Sequence, residues 1–419
     1  MHLNERRFLF LQGPHGPFFG QLAGGLRAAG SETWKVAVTA GDAAEWNAPN
    51  RIDLIAPSSL WRDALELIVG QQGITDLVLY GQTRPLHRLG LEAARSRKVR
   101  THILEEGYIR PNWITHETMG SNDCSPAAEI ALGDMSGRPG KEYARPKASW
   151  GALRHHVWYG ALYHARLMAG ARRFPMYRSH RDQPVWREAV GAFGGLLALP
   201  GAAAVRVMQH RRAKRTRRPL YVLLLQLQHD SALAHAGPWA CHAHLLDRTL
   251  VAFAQNAPQD ARLAVKMHPL EAEKWRVARQ VRRAARLHGL TDRVLTIPGG
   301  RLADLLDQAD AALTVSSTAG QQVLWRGLPL FAFGRTVYSH PELLPQNSLP
   351  AFMAHPEPPD LDAYAKLRAF LFRTSQVPGC FYTARGRADA VAGLMSRLAT
   401  DRSMYDTEVA HGFATSPVT

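Results

Sequence analysis

The chain has 419 residues, 46% of them apolar and 21% charged. That length and those proportions describe a folded protein of two or three domains and exclude a disordered, collagen-like or coiled-coil chain. Lysine and arginine outnumber aspartate and glutamate by 51 to 35, and a net charge of +16 calls for an anionic partner: nucleic acid, an acidic membrane surface or a phosphorylated substrate.

Before residue 117, short apolar runs alternate with helical stretches. Strands are predicted over 8–11, 34–38, 77–80 and 102–104, and helices over 19–29, 60–71 and 88–94. Strands separated by helices imply a parallel sheet with crossover helices. Residues 1–7 lead straight into the first strand and carry no signal-peptide pattern. Cys124, Cys241 and Cys380 are odd in number and far apart, which fits neither a disulfide framework nor a zinc site and suits a reducing cytoplasm.

The middle of the chain is different. Residues 138–218 hold 18 lysines and arginines against Glu142, Asp182 and Glu188, a net +15 that leaves the rest of the chain nearly neutral. The same segment carries Trp150, Trp158, Tyr159, Tyr163, Phe174, Tyr177, Trp186 and Phe193, and an uncharged run over 189–205. Four glycines and Pro200 argue against reading that run as a spanning helix. Cations, aromatic rings and aliphatics together suit a segment lying on an acidic membrane surface. A solvated helical connector whose aromatic stripe packs on a domain fits the same residues. Nucleic acid is the weaker reading, because no recognised reading module accompanies the charge.

After residue 218 the alternation resumes, with strands predicted over 220–227, 263–267, 294–297, 311–315 and 330–333 and helices over 245–254 and 275–287. The division expected is a Rossmann-like domain over 1–135, a basic, largely helical insertion over 136–218, a second Rossmann-like domain over 219–400 and a tail over 401–419.

Open α/β sheets bind ligands beyond the carboxyl ends of their strands, so the loops that follow strands are where chemistry is sought. Five stand out. Gly13, Pro14, His15 and Gly16 follow the first strand and open a helix, although they match neither the dinucleotide fingerprint nor the Walker loop. Arg84 lies in the loop 81–85, placed to contact an anionic sugar acid or to pair with a carboxylate. Glu105 and Glu106 end a strand ahead of Gly107 and Arg110. Adjacent side chains on an extended backbone point opposite ways, so one carboxylate can face a cleft while the other anchors structure. Lys266, His268 and Pro269 end another strand, and the proline biases His268 toward an extended conformation. Ser316, Ser317, Thr318 and Gly320 form a hydroxyl-rich turn into a helix, suited to an anion or to simple capping.

As a set these motifs resemble the capsule polysaccharide biosynthesis and export proteins of Gram-negative bacteria, specifically their S-type β-Kdo transferases. The likeness is carried by Phe10-Leu11-Gln12-Gly13-Pro14 with Gly16-Pro17-Phe18-Phe19, Gly73-Ile74-Thr75-Asp76, Glu105-Glu106-Gly107-Tyr108-Ile109-Arg110-Pro111-Asn112-Trp113-Ile114-Thr115, Gln226-Leu227-Gln228-His229-Asp230-Ser231, Lys266-Met267-His268-Pro269, and Ser316-Ser317-Thr318-Ala319-Gly320 ahead of Gly327-Leu328-Pro329.

The resemblance implies a two-domain, GT-B-like α/β glycosyltransferase related in its site to bacterial sialyltransferases. It implies Glu106 as the catalytic carboxylate, with Glu105 beside it, His268 and Pro269 against the nucleotide, and Ser316, Ser317 and Thr318 around its phosphate. Gly13, Pro14, His15, Gly16, Arg84, Gly107, Arg110, Gln228, His229, Lys266 and Gly320 complete the candidate substrate- and nucleotide-binding set. CMP-Kdo is the implied donor and a phosphatidylglycerol-type lipid the implied acceptor, at the cytoplasmic face of the inner membrane, with other capsule biosynthesis or export proteins as partners and no nucleic acid. No cofactor or metal is expected, since CMP departs readily without one and the chain is read as having no Asp-x-Asp pair. Two other readings stay open: a non-catalytic peripheral component of capsule export or assembly, and a transferase of the same fold using another nucleotide sugar.

Overall fold

A computed structural model describes residues 2–136, 152–177, 218–227, 233, 237–268, 271, 273–400 and 403–409. The chain forms two compact units, one from residues 1–126, 134–192 and 369–419, the other from 127–133 and 193–368.

In the first unit, β1 (Arg7–Phe10), β2 (Glu32–Ala37), β3 (Arg51–Asp53), β4 (Asp76–Tyr80) and β5 (Arg100–Glu106) run parallel. Phe8, Leu9 and Phe10 are buried in succession, as a strand covered on both faces requires. Crossovers run through α1 (Phe18–Ala28), α2 (Trp61–Gln71) and α3 (Pro85–Ser96). Arg84 is extended and Pro85 opens α3, because the proline ring fixes a helical φ where no backbone N–H is needed. The sheet is then extended by β6 (Trp113–Glu117), antiparallel to β5.

The second unit is a parallel sheet of β7 (Leu220–Leu224), β8 (Arg262–Lys266), β9 (Val294–Ile297), β10 (Ala311–Thr314) and β11 (Leu330–Ala332), in the order β11-β10-β7-β8-β9. The expected fold class, two Rossmann-like α/β units with parallel sheets, is therefore the one observed. Each sheet puts its first strand beside its fourth, β1 beside β4 and β7 beside β10. There the chain reverses direction across the sheet, and the connections leave a crevice at the strands' carboxyl ends.

The domain boundaries need correcting. Residues 369–400, expected in the second Rossmann-like domain, return to the first unit. There β12 (Gln376–Pro378) pairs antiparallel with β6, and α9 (Ala384–Leu398), reached after α4 (Ala152–Ala169), α5 (His242–Asn256), α6 (Lys274–Leu287), α7 (Gly320–Leu324) and α8 (Leu361–Thr374), packs on the first sheet's core. Phe381, Ala390, Leu394 and Leu398 join Phe8, Phe10, Phe18 and Leu22 in one cluster. Each leucine so buried contributes about 1.5–3 kcal/mol, so covering that apolar face is what draws the segment back. Conversely, residues 127–133 belong to the second unit, where the Ala127 carbonyl accepts from His340 Nε2 at 3.1 Å and the Ala128 carbonyl from Arg335 at 3.2 Å. The alternating pattern also did not mark β3, β6 or β12, which are short or antiparallel.

A buried ionic hub ties the first unit together. Asp76, at the start of β4, accepts from Arg6 Nε at 2.9 Å, pairs with the same guanidinium through its other oxygen, and accepts from His102 Nε2 at 2.9 Å. Arg6 also donates to the Leu398 carbonyl at the end of α9. Burial alone would raise the Asp76 pKa, but hydrogen bonds from His102, Arg6 and Thr75 outweigh it and hold the carboxyl well below its usual range. A carboxylate depressed in this way stabilises the fold above its unfolded pKa, and that stability is lost as pH falls.

Removing one partner strands a buried charge. Asp76→Ala is expected to cost about 3–5 kcal/mol, read as a lower urea midpoint at pH 7, and a deficit that shrinks toward pH 3 identifies the lost charge as the cause.

Candidate active site

In the first unit, three loops leave the carboxyl ends of β1, β4 and β5. The loop after β1 sits on buried charges. Lys35 donates from Nζ to the Leu11 carbonyl at 2.6 Å, and Gln12 donates from Nε2 to Asp42 at 3.2 Å. Gly16 has a φ of 110°, which only glycine adopts without strain, and its N–H donates to Glu45 Oε1 at 2.7 Å. Burial pushes Glu45 up to about 8, with the Asp42 charge adding to the shift while the Gly16 hydrogen bond and Lys35 oppose it. Lys35 is lowered, again chiefly by burial.

The candidate glycines in this loop have internal reasons to be glycine. A Cβ at Gly13 would lie 2.8 Å from the Phe19 ring, and one at Gly16 3.0 Å from the Tyr159 ring. Pro14 is buried, and the His15 ring packs 4.3 Å from that of Tyr163 on α4.

The other two loops meet around the paired carboxylates. Glu105 accepts from the Ser121 hydroxyl at 2.7 Å. Ser121 is held in turn by Gln82, which accepts from its N–H at 3.0 Å and donates to its carbonyl at 3.1 Å. Glu106 is half-buried and lies instead beside two tyrosines, Tyr80 and Tyr382, each of which its charge helps to raise above the ordinary phenol range. Burial and the Tyr80 and Glu106 charges raise Tyr382 well above the ordinary phenol range, so it is a donor at any physiological pH. Gly107 must be glycine because a Cβ would strike the Trp113 carbonyl. Arg110 donates from Nε to the Gly107 carbonyl at 3.2 Å, and the Arg84 guanidinium lies 5.7 Å from the Tyr80 ring centre. One of the adjacent carboxylates is thus an anchored structural group and the other is presented beside phenolic donors, an arrangement suited to nucleophile or base chemistry.

Tyr382 was out of reach of the sequence. It follows β12 and is brought to Glu106 only because residues 369–400 return to this unit.

In the second unit, candidate groups sit at the ends of β8 and β10. Lys266 is buried and donates from Nζ to the Met267 carbonyl at 3.1 Å, while His268 is half-buried. Gln226, beyond β7, clamps the turn after β10: its Oε1 accepts from the Ser316 N–H at 2.8 Å. The Ser317 hydroxyl accepts from the Ala319 N–H at 3.1 Å, and the Ser317 carbonyl accepts from the Tyr338 hydroxyl at 2.6 Å. A Cβ at Gly320 would collide with that same Tyr338 hydroxyl, so this glycine too answers to packing. The Thr318 side chain makes no hydrogen bond among the described residues. Gln228, His229 and Pro269 lie outside the described residues.

The sequence does contain an Asp-x-Asp pattern, Asp360-Leu361-Asp362, of the kind that holds metals in many transferases. Here Asp360 Oδ1 accepts from the N–H groups of Asp362 at 2.8 Å and Ala363 at 3.0 Å, capping α8.

Of the basic segment, the structure describes 152–177 and Arg218. Part of its aromatic content is core: the Tyr163 hydroxyl bonds Thr39 at 2.9 Å and Asp42 at 3.1 Å, and Phe174 is buried against Ala37 and Ala43. Those rings follow the connector reading, whereas Trp158 is 65% exposed. The run 189–205 lies outside the described residues. No helix among the described residues is long and apolar enough to cross a membrane.

The profile of one family, described as capsule polysaccharide biosynthesis protein, matches residues 75–382. The chain is 27% identical to the capsule polysaccharide export protein KpsS of Escherichia coli, over 91% of this chain and 98% of that one. It is also 27% identical to the capsule polysaccharide modification protein LipB of Neisseria meningitidis serogroup A, over 91% of this chain and 92% of the relative. Among solved structures, the β-Kdo 2,7 transferase of KpsC from Thermosulfurimonas dismutans superposes with a TM-score of 0.46 at 14% identity, covering 94% of this chain and 100% of that one.

The Glu45 environment has a measurable consequence. A carboxyl raised from 4.5 to about 8 keeps a proton that the unfolded chain releases, so the fold loses stability as pH rises through that window. Glu45→Gln keeps an acceptor for the Gly16 N–H but cannot ionise, and is expected to flatten the fall in melting temperature between pH 5 and pH 8.

Proposed function

The chain belongs to the capsule polysaccharide biosynthesis protein family, and on that premise we propose that it is a glycosyltransferase that moves Kdo from CMP-Kdo to a phosphatidylglycerol-type lipid, beginning the β-Kdo linker of a capsule. The observation that carries the reading is Glu106: a half-buried carboxylate at the carboxyl end of β5, beside Tyr80 and Tyr382, while its neighbour Glu105 is engaged by Ser121.

In the proposed reaction the bond from the sugar's anomeric carbon to the CMP phosphate oxygen breaks, and CMP leaves with the electron pair. Glu106 acts as nucleophile or as close electrostatic partner of the oxocarbenium-like centre, which gives retention. The acceptor hydroxyl then forms the new C–O bond as any bond to Glu106 breaks, and its proton passes to the phosphate oxygen of the departed CMP. Tyr382, with its pKa raised, stays protonated and is the donor assigned to that carboxylate. His268 and the turn Ser316–Ser317–Thr318 are assigned to the departing CMP phosphate, whose charge grows as the bond breaks. Clamping by Gln226 and Tyr338 supports that assignment, since a preorganised turn needs no rearrangement as the charge develops. The enzyme works at the cytoplasmic face of the inner membrane, where a lipid acceptor is available.

A non-catalytic role in export, the activity in the name of the Escherichia coli relative, makes the opposite prediction for Glu106. With CMP-Kdo generated in situ and a fluorescent phosphatidylglycerol analogue, wild type is expected to form a Kdo-lipid. Glu106→Gln should lower the rate by at least about a hundredfold, and His268→Ala by about ten- to a hundredfold. Full activity in Glu106→Gln refutes the mechanism; no product in wild type, with CMP still raising the melting temperature, points to another sugar or acceptor.

A further inference from the structure

Sequence totals placed nearly all the net charge in 138–218, but a local concentration lies in the second unit. Helix α6 (Lys274–Leu287) carries a lysine and five arginines with no acidic residue. Val277, Val281 and Ala285 recur along one face and are buried in the core, so the helix is seated before any partner arrives. The opposite face presents Arg276, Arg279, Arg282, Arg283 and Arg286. Arg276 pairs with Glu273 at 2.9 Å, while the other four have no carboxylate partner among the described residues. Apolar groups share this surface: Trp275 is 61% exposed with the Arg279 guanidinium 5.2 Å from its ring centre, and Leu287 is 75% exposed. A groove of about 360 Å³, lined by Arg282, Arg286, Thr291 and Thr296 among others, runs between the helix and β9.

We propose that this face of α6 docks on the surface of an anionic phospholipid bilayer. Four unneutralised guanidinium groups within about two helical turns repel one another and are relieved by phosphates. Charge alone would serve any polyanion. The exposed indole and leucine at the two ends of the stripe select the membrane, because an interfacial helix combines cations for headgroups, an aromatic ring for the headgroup layer and an aliphatic for shallow insertion. The core-seated opposite face holds the stripe in place, so docking costs little ordering entropy. This goes beyond the transferase reading, which needs a lipid acceptor but assigns no lipid-facing surface.

The test uses the full chain and vesicles without donor, so its outcome is independent of transfer activity. Wild type is expected to float with vesicles of phosphatidylcholine containing 30% phosphatidylglycerol, and not with phosphatidylcholine alone. Each basic side chain at an anionic surface contributes roughly a factor of five, so Arg279→Glu/Arg283→Glu/Arg286→Glu should weaken partitioning by about a hundredfold. A control of equal charge change on α3 and the turn after it, Arg95→Glu/Arg97→Glu/Lys98→Glu, should weaken it less than about fivefold. Brominated lipid should quench wild-type fluorescence, and Trp275→Phe should remove that component. The corresponding Arg→Gln triple, checked by its melting temperature, guards against misfolding and should follow the Glu triple in direction. Equal losses in both triples, undiminished binding of the α6 triple, or loss of binding to a soluble acidic polysaccharide with vesicle binding intact would each overturn the proposal.

Discussion

The first unit depends on one buried carboxylate. Asp76 stands where β4 begins and accepts from Arg6, just ahead of β1, and from His102 on β5, so three neighbouring strands are tied at their amino ends. A charge in a low-dielectric interior is tolerated only while its partners stay in place, which makes the strands' registers mutually dependent. His102 passes the constraint on by accepting at Nδ1 from His116 Nε2 on β6 at 3.1 Å, and Arg6 extends it to the end of α9. At the other ends of the same strands lie the loops bearing Gly16, Arg84 and Glu106. Rigid, registered strands are what let a half-buried carboxylate meet the Tyr382 hydroxyl.

The two sheets solve a similar problem in related ways. In both, the first strand lies beside the fourth, and a side chain from beyond the first strand secures the crevice: Gln12 holds Asp42 in one unit and Gln226 holds the Ser316 backbone in the other. Several candidate site residues then have structural duties of their own. Gly13, Gly16 and Gly320 are glycines because Phe19, Tyr159 and Tyr338 occupy the space a Cβ would need. Such packing and a ligand role are compatible, since a loop that approaches a ligand must itself be supported.

Much of the architecture is readable along the chain. Runs such as Phe8-Leu9-Phe10 and Leu220-Tyr221-Val222-Leu223-Leu224 are apolar throughout because parallel strands are covered on both faces, and amphipathic stretches between them become crossover helices. Glu105 and Glu106 could be expected to diverge from strand geometry alone, and they do: one meets Ser121, the other Tyr382. The short strands β3, β6 and β12 escaped, because three to five residues carry too little periodicity to stand out from a loop. Charge totals likewise hid α6, whose arginines are offset in the regional sum by acidic residues elsewhere in the second half of the chain.

Local covalent sequence therefore determined the alternation of strands and helices, the family's motifs and the positions of the loops that follow strands, because each depends on contacts between residues close in the chain. Tertiary structure alone decided that residues 369–400 complete the first sheet, that Tyr382 reaches Glu106, and that Tyr163 and Phe174 of a basic segment are core. Those outcomes turn on which exposed apolar surface a distant segment can cover. That quantity belongs to the folded chain as a whole, and no window of sequence contains it.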